Sequence, residues 1–288
     1  MTIPSTAVEK AQTFIWNNAR LLERQLFSFL FQNGPRQNVL AALKAHQNPD
    51  GGFGNALEPD KRTPTNQPID QEFALHVLDD IGFDEGTVRQ TCDFLMTITT
   101  PEGGVPFVLP TVRDAPRAEW WNTEDDPPAS INPTAGIAGL LYKHHFQHAW
   151  LERVTEFCWQ KIEVLQGPAN DDMICAVLFL EHVPDRDRAN REFKHIGEQI
   201  KKQVPLDPQA SGYVKKPLAW APTPASLCRS LFDDSTIDLH LEMLAAEQQP
   251  DGGWPITWPA ISPASELEAR SVVTIHAINT LKAYGRLK

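Results

Sequence analysis

Two stretches far apart in the chain carry nearly the same text. One is QNPDGGFG at 47–54 and the other is QQPDGGWP at 248–255. The first directly follows a run with helical spacing, LAALKAH. Proline stops such a run, glycines supply positive φ, the aspartate can cap neighbouring amides, and the aromatic can pack between layers. Aligning Asp50 with Asp251 gives an offset of 201, and a weaker copy, TTPEGGVP at 99–106, puts Glu102 at an offset of 52. A repeat unit of about fifty residues fits these spacings. Four such periods separate the two strong copies, and LDPQASGYV (206–214) keeps only fragments of the motif.

Everything between these turns reads as helix. No alternating β-branched runs with hairpin turns occur. The helices are of two kinds, in alternation. AGIAGLL (135–141), MICAVLFL (173–180) and SVVTIHAI (271–278) are nearly apolar throughout, as in helices buried on most sides. REFKHIGEQIKKQV instead carries one stripe, Phe193, Ile196, Ile200 and Val204. The segment 149–165 does the same with Leu151, Val154, Phe157, Cys158, Ile162 and Leu165. The predicted hairpins, buried helix first, are 21–32 with 35–46, 68–81 with 84–99, 133–145 with 148–165, 169–183 with 185–204, and 223–232 with 235–248. A last buried helix covers 265–285, and the opening helix, 5–18, supplies its outer partner by closing a ring of six pairs. The links at 49–67, 100–132, 205–222 and 249–264 are long and fall at one end, where they would rim a central cavity. Inner-helix N-termini at that end favour anions.

Composition narrows the function. The formal net charge is −11, which argues against nucleic-acid and anionic-lipid partners. The apolar runs are too short to span a bilayer, so no stable membrane insertion is expected. No secretory signal is read at the N-terminus. Cysteines 92, 158, 175 and 228 are far apart without a CxxC pair, which predicts no structural zinc and reduced thiols in the cytoplasm. No phosphate-binding glycine motif, HExxH or GxSxG occurs.

The repeated Gln-x-Pro-Asp-Gly-Gly-(Phe/Trp) turn resembles the repeat of the prenyltransferase and squalene–hopene cyclase (terpenoid cyclase) superfamily. That resemblance implies an all-α fold, a single α/α toroid domain over 1–288 with about six hairpins in two concentric layers. It implies an enzyme acting on an isoprenoid in a central cavity. The family's Asp-x-Asp-Asp acid motif is not present; NTEDD (122–126), ANDD (169–172) and LFDD (231–234) are the nearest runs. The Asp-x-Cys zinc pair of the prenyltransferases is also missing, so neither a metal nor another cofactor is expected.

Candidate catalytic acids are Glu58, Asp60 and Asp70, because NALEPD (55–60) has no counterpart in the second copy of the turn. Carboxyl groups clustered near a cavity can split their pKa values and leave one protonated. The bland alternative is a solvated loop in which Arg62 pairs with Asp60. Arg62 is also a candidate substrate contact. So are Trp120 and Trp121, which cannot both face inward from an extended segment, and Trp220 and Trp258 on later links. Asp172 opens one buried helix, Glu266 and Arg270 open the last, and His276 lies within it. Asp233, Asp234 and Asp238 lie at a short link, on the wrong side for the cavity. The leading expectation is acid-initiated cyclisation of an isoprenoid or other bulky apolar small molecule. A carbohydrate-active hydrolase or lyase on the same scaffold, or a noncatalytic binding protein, stays open; oligomeric state is not readable.

Overall fold

The computed structural model describes residues 5–287. Among these, helices carry the fold, and the only extended pairings are isolated bridges such as Lys61 with Arg117. The chain is all-α. Its helices are α1 (Ser5–Asn18), α2 (Leu21–Gln32), α3 (Arg36–Lys44), α4 (Pro68–Ile81), α5 (Glu85–Ile98) and α6 (Ile131–Lys143). They continue as α7 (Ala149–Glu163), α8 (Asp171–His182), α9 (Arg186–Gln203), α10 (Pro217–Trp220), α11 (Asp234–Ala246) and α12 (Pro263–Ala283). No helix of the described residues is long and apolar enough to cross a membrane.

One expected helix is absent. The stretch 223–232 forms a 3-10 turn over Leu227–Leu231, preceded by the single turn α10. Pro222 and Pro224 explain the correction. Each lacks an amide donor, and each drives the residue before it out of the helical region.

The helices form two compact units. Arg36–Gln199 holds α3 to α8 and most of α9; the described residues up to Pro35 join those from Ile200 onward. In the first unit α6 is buried at every position from Ile131 to Leu141 and packs against α4, α7 and α8. Gly139 permits the approach of α8: a Cβ there would lie 2.7 Å from the Leu178 backbone. On α9 the buried residues include Ile196 and Ile200, while Lys194, His195 and Lys201 face water. In the second unit α12 packs against α1, α2 and α11.

Three turns of one design brace these helices. In the first, the Gly51 N–H donates to Asn48 O (3.0 Å) and the Asn48 N–H donates to Gly52 O (2.8 Å). Gln47 Nε2 donates to Gly51 O at 2.9 Å, and Asp50 accepts from the Gly52 N–H at 3.2 Å. The 248–254 turn repeats every one of these bonds through Gln248, Gln249, Asp251, Gly252 and Gly253. The 99–105 turn keeps the two backbone bonds, from Gly103 to Thr100 and from Thr100 to Gly104. Gly51, Gly103 and Gly252 have φ of +89°, +101° and +95°, a region that favours glycine.

Each turn is pinned from two sides. The second glycine lies against an aromatic ring: Gly52 against Phe94 of α5, Gly104 against Phe157 of α7, Gly253 against Phe14 of α1. The next residue's amide is taken by a side chain of the following inner helix. Phe53 N–H donates to Gln71 Oε1 (2.8 Å), Val105 N–H to Thr134 Oγ1 (3.0 Å) and Trp254 N–H to Thr274 Oγ1 (2.9 Å). Each turn thus fastens an inner helix to the outer helix after it. For the last turn that helix is α1, which also packs against α12.

Two glycine replacements test the pinning. Gly252 and Gly212 both have positive φ, but a Cβ at Gly252 meets the Lys10 backbone whereas one at Gly212 meets nothing. Left-handed backbone costs about 1–2 kcal/mol for either alanine. Gly252→Ala adds a clash with α1, so urea denaturation is expected to show the larger loss for Gly252→Ala. Equal losses would mean that the turn is not clamped against α1.

Candidate functional site

In the Arg36–Gln199 unit the two long links are ordered against each other. The Arg62 N–H donates to Pro116 O, and the Ala118 N–H donates to Asp60 O, each at 2.9 Å. Gln67 Oε1 accepts from the Leu109 N–H at 2.8 Å, and Thr65 Oγ1 donates to Thr111 Oγ1 at 2.9 Å. These bonds make one fixed cover over the N-terminal end of α4.

Beneath it lies an ion pair between Lys61 and Asp70, both side chains 0% exposed. Asp70 Oδ1 accepts from Lys61 Nζ and from the Glu58 N–H (3.0 Å), while Oδ2 is buried without a hydrogen bond. Burial raises the Asp70 pKa, and the Lys61 charge works against that rise. Asp70 therefore anchors the 58–62 segment through Lys61. Asp60 is buried beside it at 3% exposure, while Glu58 and Arg62 are half-buried. The sequence places a carboxylate cluster here; the structure pairs one of these acids, Asp70, with a lysine that the sequence reading passed over and ties Glu58 to it through its backbone amide.

The other predicted residues are spread through the fold. Trp121 is buried and stacks on Phe107 at 5.1 Å, and Trp120 is exposed; the two lie in a 3-10 turn, Glu119–Trp121, rather than in an extended segment. Trp220 is buried, its Nε1 donating to Lys215 O at 3.2 Å. Trp258 meets Tyr213 edge to face at 6.0 Å. Arg270, expected at a cavity, is instead a brace of the last turn. It donates to Asp251 Oδ1 (2.8 Å) and Trp254 O (3.2 Å), and its guanidinium lies 4.6 Å from the Phe14 ring. Glu266 is exposed. His276 is exposed at its surface, and desolvation by the atoms around it lowers its pKa. Asp233 caps α11 through the Thr236 N–H (2.6 Å), Asp234 pairs with Arg229 and Asp238 with Arg286, so each acid of that run has a structural partner. Among the described residues, no group of three or more His, Cys, Asp or Glu side chains is placed to hold a metal ion.

The acid that the sequence reading missed is Glu72. On α4 the less-buried positions Ile69, Phe73, His76 and Asp80 follow helical spacing and share one face. Glu72, three residues after Ile69 and four before His76, lies at the edge of that face. It is 8% exposed, and burial, with the charge of Asp171 adding, pushes its pKa up to about 8 despite a hydrogen bond from Cys175. The Cys175 thiol of α8 donates to Glu72 Oε1 at 3.3 Å. Gly136 of α6 makes the space: a Cβ there would overlap Oε1. Asp172, half-buried at the start of α8, also has a raised pKa, from burial and from Asp171. One signal for Glu72 was in the text, a glutamate inside an inner helix with a histidine one turn on. The glycine that accommodates it lies sixty-odd residues away and needed coordinates.

The C-terminal ends of α4, α6 and α8 are polar. Asp79 accepts from Lys143 Nζ and bonds His144 Nε2, both at 2.7 Å. Burial and the neighbouring Asp79 push Asp80 up to about 6; burial and Lys143 push His182 down to about 4. A surface depression of about 510 Å³ nearby is lined by Phe83, Arg89, His144 and Phe146. It lies about three helical turns along α4 from Glu72.

Two measurements probe these groups. Lys61→Met strands a buried carboxylate and is expected to cost about 3–5 kcal/mol, whereas Lys61→Met with Asp70→Leu should recover most of that loss. Equal destabilisation in both would remove the ion pair from the account. The second test is linkage. The folded protein holds the Glu72 proton more tightly than the unfolded chain, so the associated stability is complete below pH 4.5 and is lost as pH rises through about 8. Glu72→Gln should gain on the parent protein across that window in denaturation experiments. A difference independent of pH would mean that Glu72 is ionised throughout.

No protein-family model matches the chain, and no curated protein matches its sequence.

Proposed function

We propose that the helical hairpins close into an α/α toroid and that the protein is an enzyme with Glu72 as its proton donor, acting on an isoprenoid-like or other bulky apolar molecule. The observation that carries this reading is the setting of Glu72, buried against Gly136 with a thiol as its hydrogen-bond donor. A carboxyl group with a pKa near 8 is a neutral acid at pH 7, and the open face around it carries Ile69 and Phe73. On α8 the half-buried Ile174 and Leu178 are also apolar. A purely structural role explains the residue poorly. Its only side-chain hydrogen bond among the described residues comes from a thiol, a weak donor, so its burial costs stability.

In this reading the π pair of a substrate alkene takes the Glu72 proton, which leaves a carbocation and a Glu72 carboxylate. Ring closure moves the positive charge along the substrate. Loss of a proton, finally returned to Glu72, ends the cycle. The Phe73 ring offers a π face to the cation. Asp70, Asp60 and Glu58 hold the cover of the site and leave the proton transfer to Glu72. The protein needs no metal for this step and belongs in the cytoplasm, where its four free, buried cysteines stay reduced.

A second reading has one observation of its own. Asp171 is close enough to Glu72 for its charge to raise the Glu72 pKa. An acid and a carboxylate so arranged also suit glycosidic bond cleavage. The experiment is incubation with a panel of polyunsaturated isoprenoids in deuterium oxide, with products read by mass spectrometry. The expected result is one deuteron carried into each product molecule, at least 100-fold slower formation with Glu72→Gln, and unchanged formation with Glu58→Gln. Consumption undiminished in Glu72→Gln sinks the assignment. Release of reducing sugar from oligosaccharides, with no isoprenoid turnover, moves it to the second reading.

A further inference from the structure

We propose that Cys175 is a positioning residue whose thiol fixes which oxygen of Glu72 carries the acidic proton. This rests on the reading of Glu72 as a neutral acid, but it concerns the acid itself and is tested without a substrate.

Glu72 Oε1 sits in a slot between two helices. The α6 backbone at Gly136 lies under it, so closely that a Cβ would overlap the oxygen, and the same point is 3.3 Å from Cys175 Sγ. From α8, the Sγ–H donates to Oε1 at 3.3 Å. A neutral carboxyl group has one carbonyl oxygen, which accepts, and one hydroxyl oxygen, which donates. The oxygen that receives the thiol hydrogen is the carbonyl one. The proton therefore belongs on Oε2, which has no hydrogen-bond partner among the described residues. Oε2 is the oxygen left to meet a ligand on the face of Ile69, Phe73 and His76.

The surroundings favour this arrangement. Burial keeps the Cys175 thiol protonated, and Glu72, Asp171 and Asp172 add to that by opposing a thiolate. The thiol is thus a fixed donor. α6 contributes a glycine backbone and no charge at this point, so nothing competes for Oε1 from that side. The Cys175 sulfur bonds an acidic side chain directly. A serine at 175 preserves the donor, and an alanine removes it.

The test is the infrared S–H stretch of the full-length protein. The Cys175 band is assigned by its loss in Cys175→Ser. It is expected at lower frequency than that of an unbonded thiol, and expected to shift in Glu72→Gln and as pH rises through about 8, when Glu72 ionises. If Glu72 instead donates its proton to sulfur, or the two groups are apart, the band sits at the unbonded position and ignores both changes; either outcome overturns the proposal. Kinetics supply the second arm on any substrate found to turn over. Cys175→Ala should lower kcat about tenfold with KM unchanged and raise the upper pH limb, because the lost bond had held the Glu72 pKa down. Cys175→Ser should restore both. An Ala variant with an unaltered pH profile overturns the proposal, whereas a bonded thiol with no turnover of any isoprenoid supports it and counts only against the enzymatic reading.

Discussion

The clamp at each glycine turn is the constraint on which this structure depends. A turn of seven residues touches three helices at once: the one it ends, the inner helix it precedes, and the outer helix beyond. It does so because two adjacent glycines do different work. The first adopts positive φ and reverses the chain. The second has no side chain, which lets an aromatic ring close over the backbone. The amide that follows is buried and must be satisfied. Gln71, Thr134 and Thr274 supply its acceptor, and this requirement explains why inner helices with mostly apolar faces carry a fully buried polar residue at that point.

Those clamps determine where the long links can go. A link leaves its turn already fixed to the next inner helix, so the 45–67 and 99–130 segments start from known positions and meet over α4. Their mutual bonds and the Lys61–Asp70 pair then hold them. A buried ion pair is a poor source of stability compared with apolar packing, but it fixes register, since each charge tolerates only its partner. In this protein the pair locks Glu58–Arg62 onto the first turn of α4, two residues from Glu72. Asp70, which looks catalytic in the sequence, is thus engaged with Lys61 and the Glu58 amide.

The sequence was most legible where a physical rule is local. Helix periodicity located eleven helices to within two residues at each end, and with the lack of alternating β-branched runs it predicted the all-α class. The rule failed at 223–232, where hydrophobic spacing pointed to helix and Pro222 and Pro224 overrode it. Site residues were less legible because burial is not local. Nothing in the text around Arg270 says that Asp251 and Trp254 lie against it. Lys61 looked like a loop cation, and only its tertiary position shows why it is buried. Glu72 was hidden for a related reason: its pKa depends on α6 and α8, which arrive from far along the chain.

Gly136 joins the fold to the setting of Glu72. Inner helices of this protein are packed closely enough for Gly139 to bring α6 onto the backbone of α8. At such a distance, a carboxyl group on α4 has room only where α6 lacks a side chain, and Gly136 is that place. The same closeness strips water from Glu72 and raises its pKa. It also brings the Cys175 thiol within hydrogen-bond reach. Volume at position 136 and a carboxyl at position 72 are therefore mutually exclusive. A larger residue at 136 would push the acid toward solvent, where its pKa falls and its proton is gone at pH 7. The tight helix packing that makes α6 the centre of its unit is thus also what raises the Glu72 pKa.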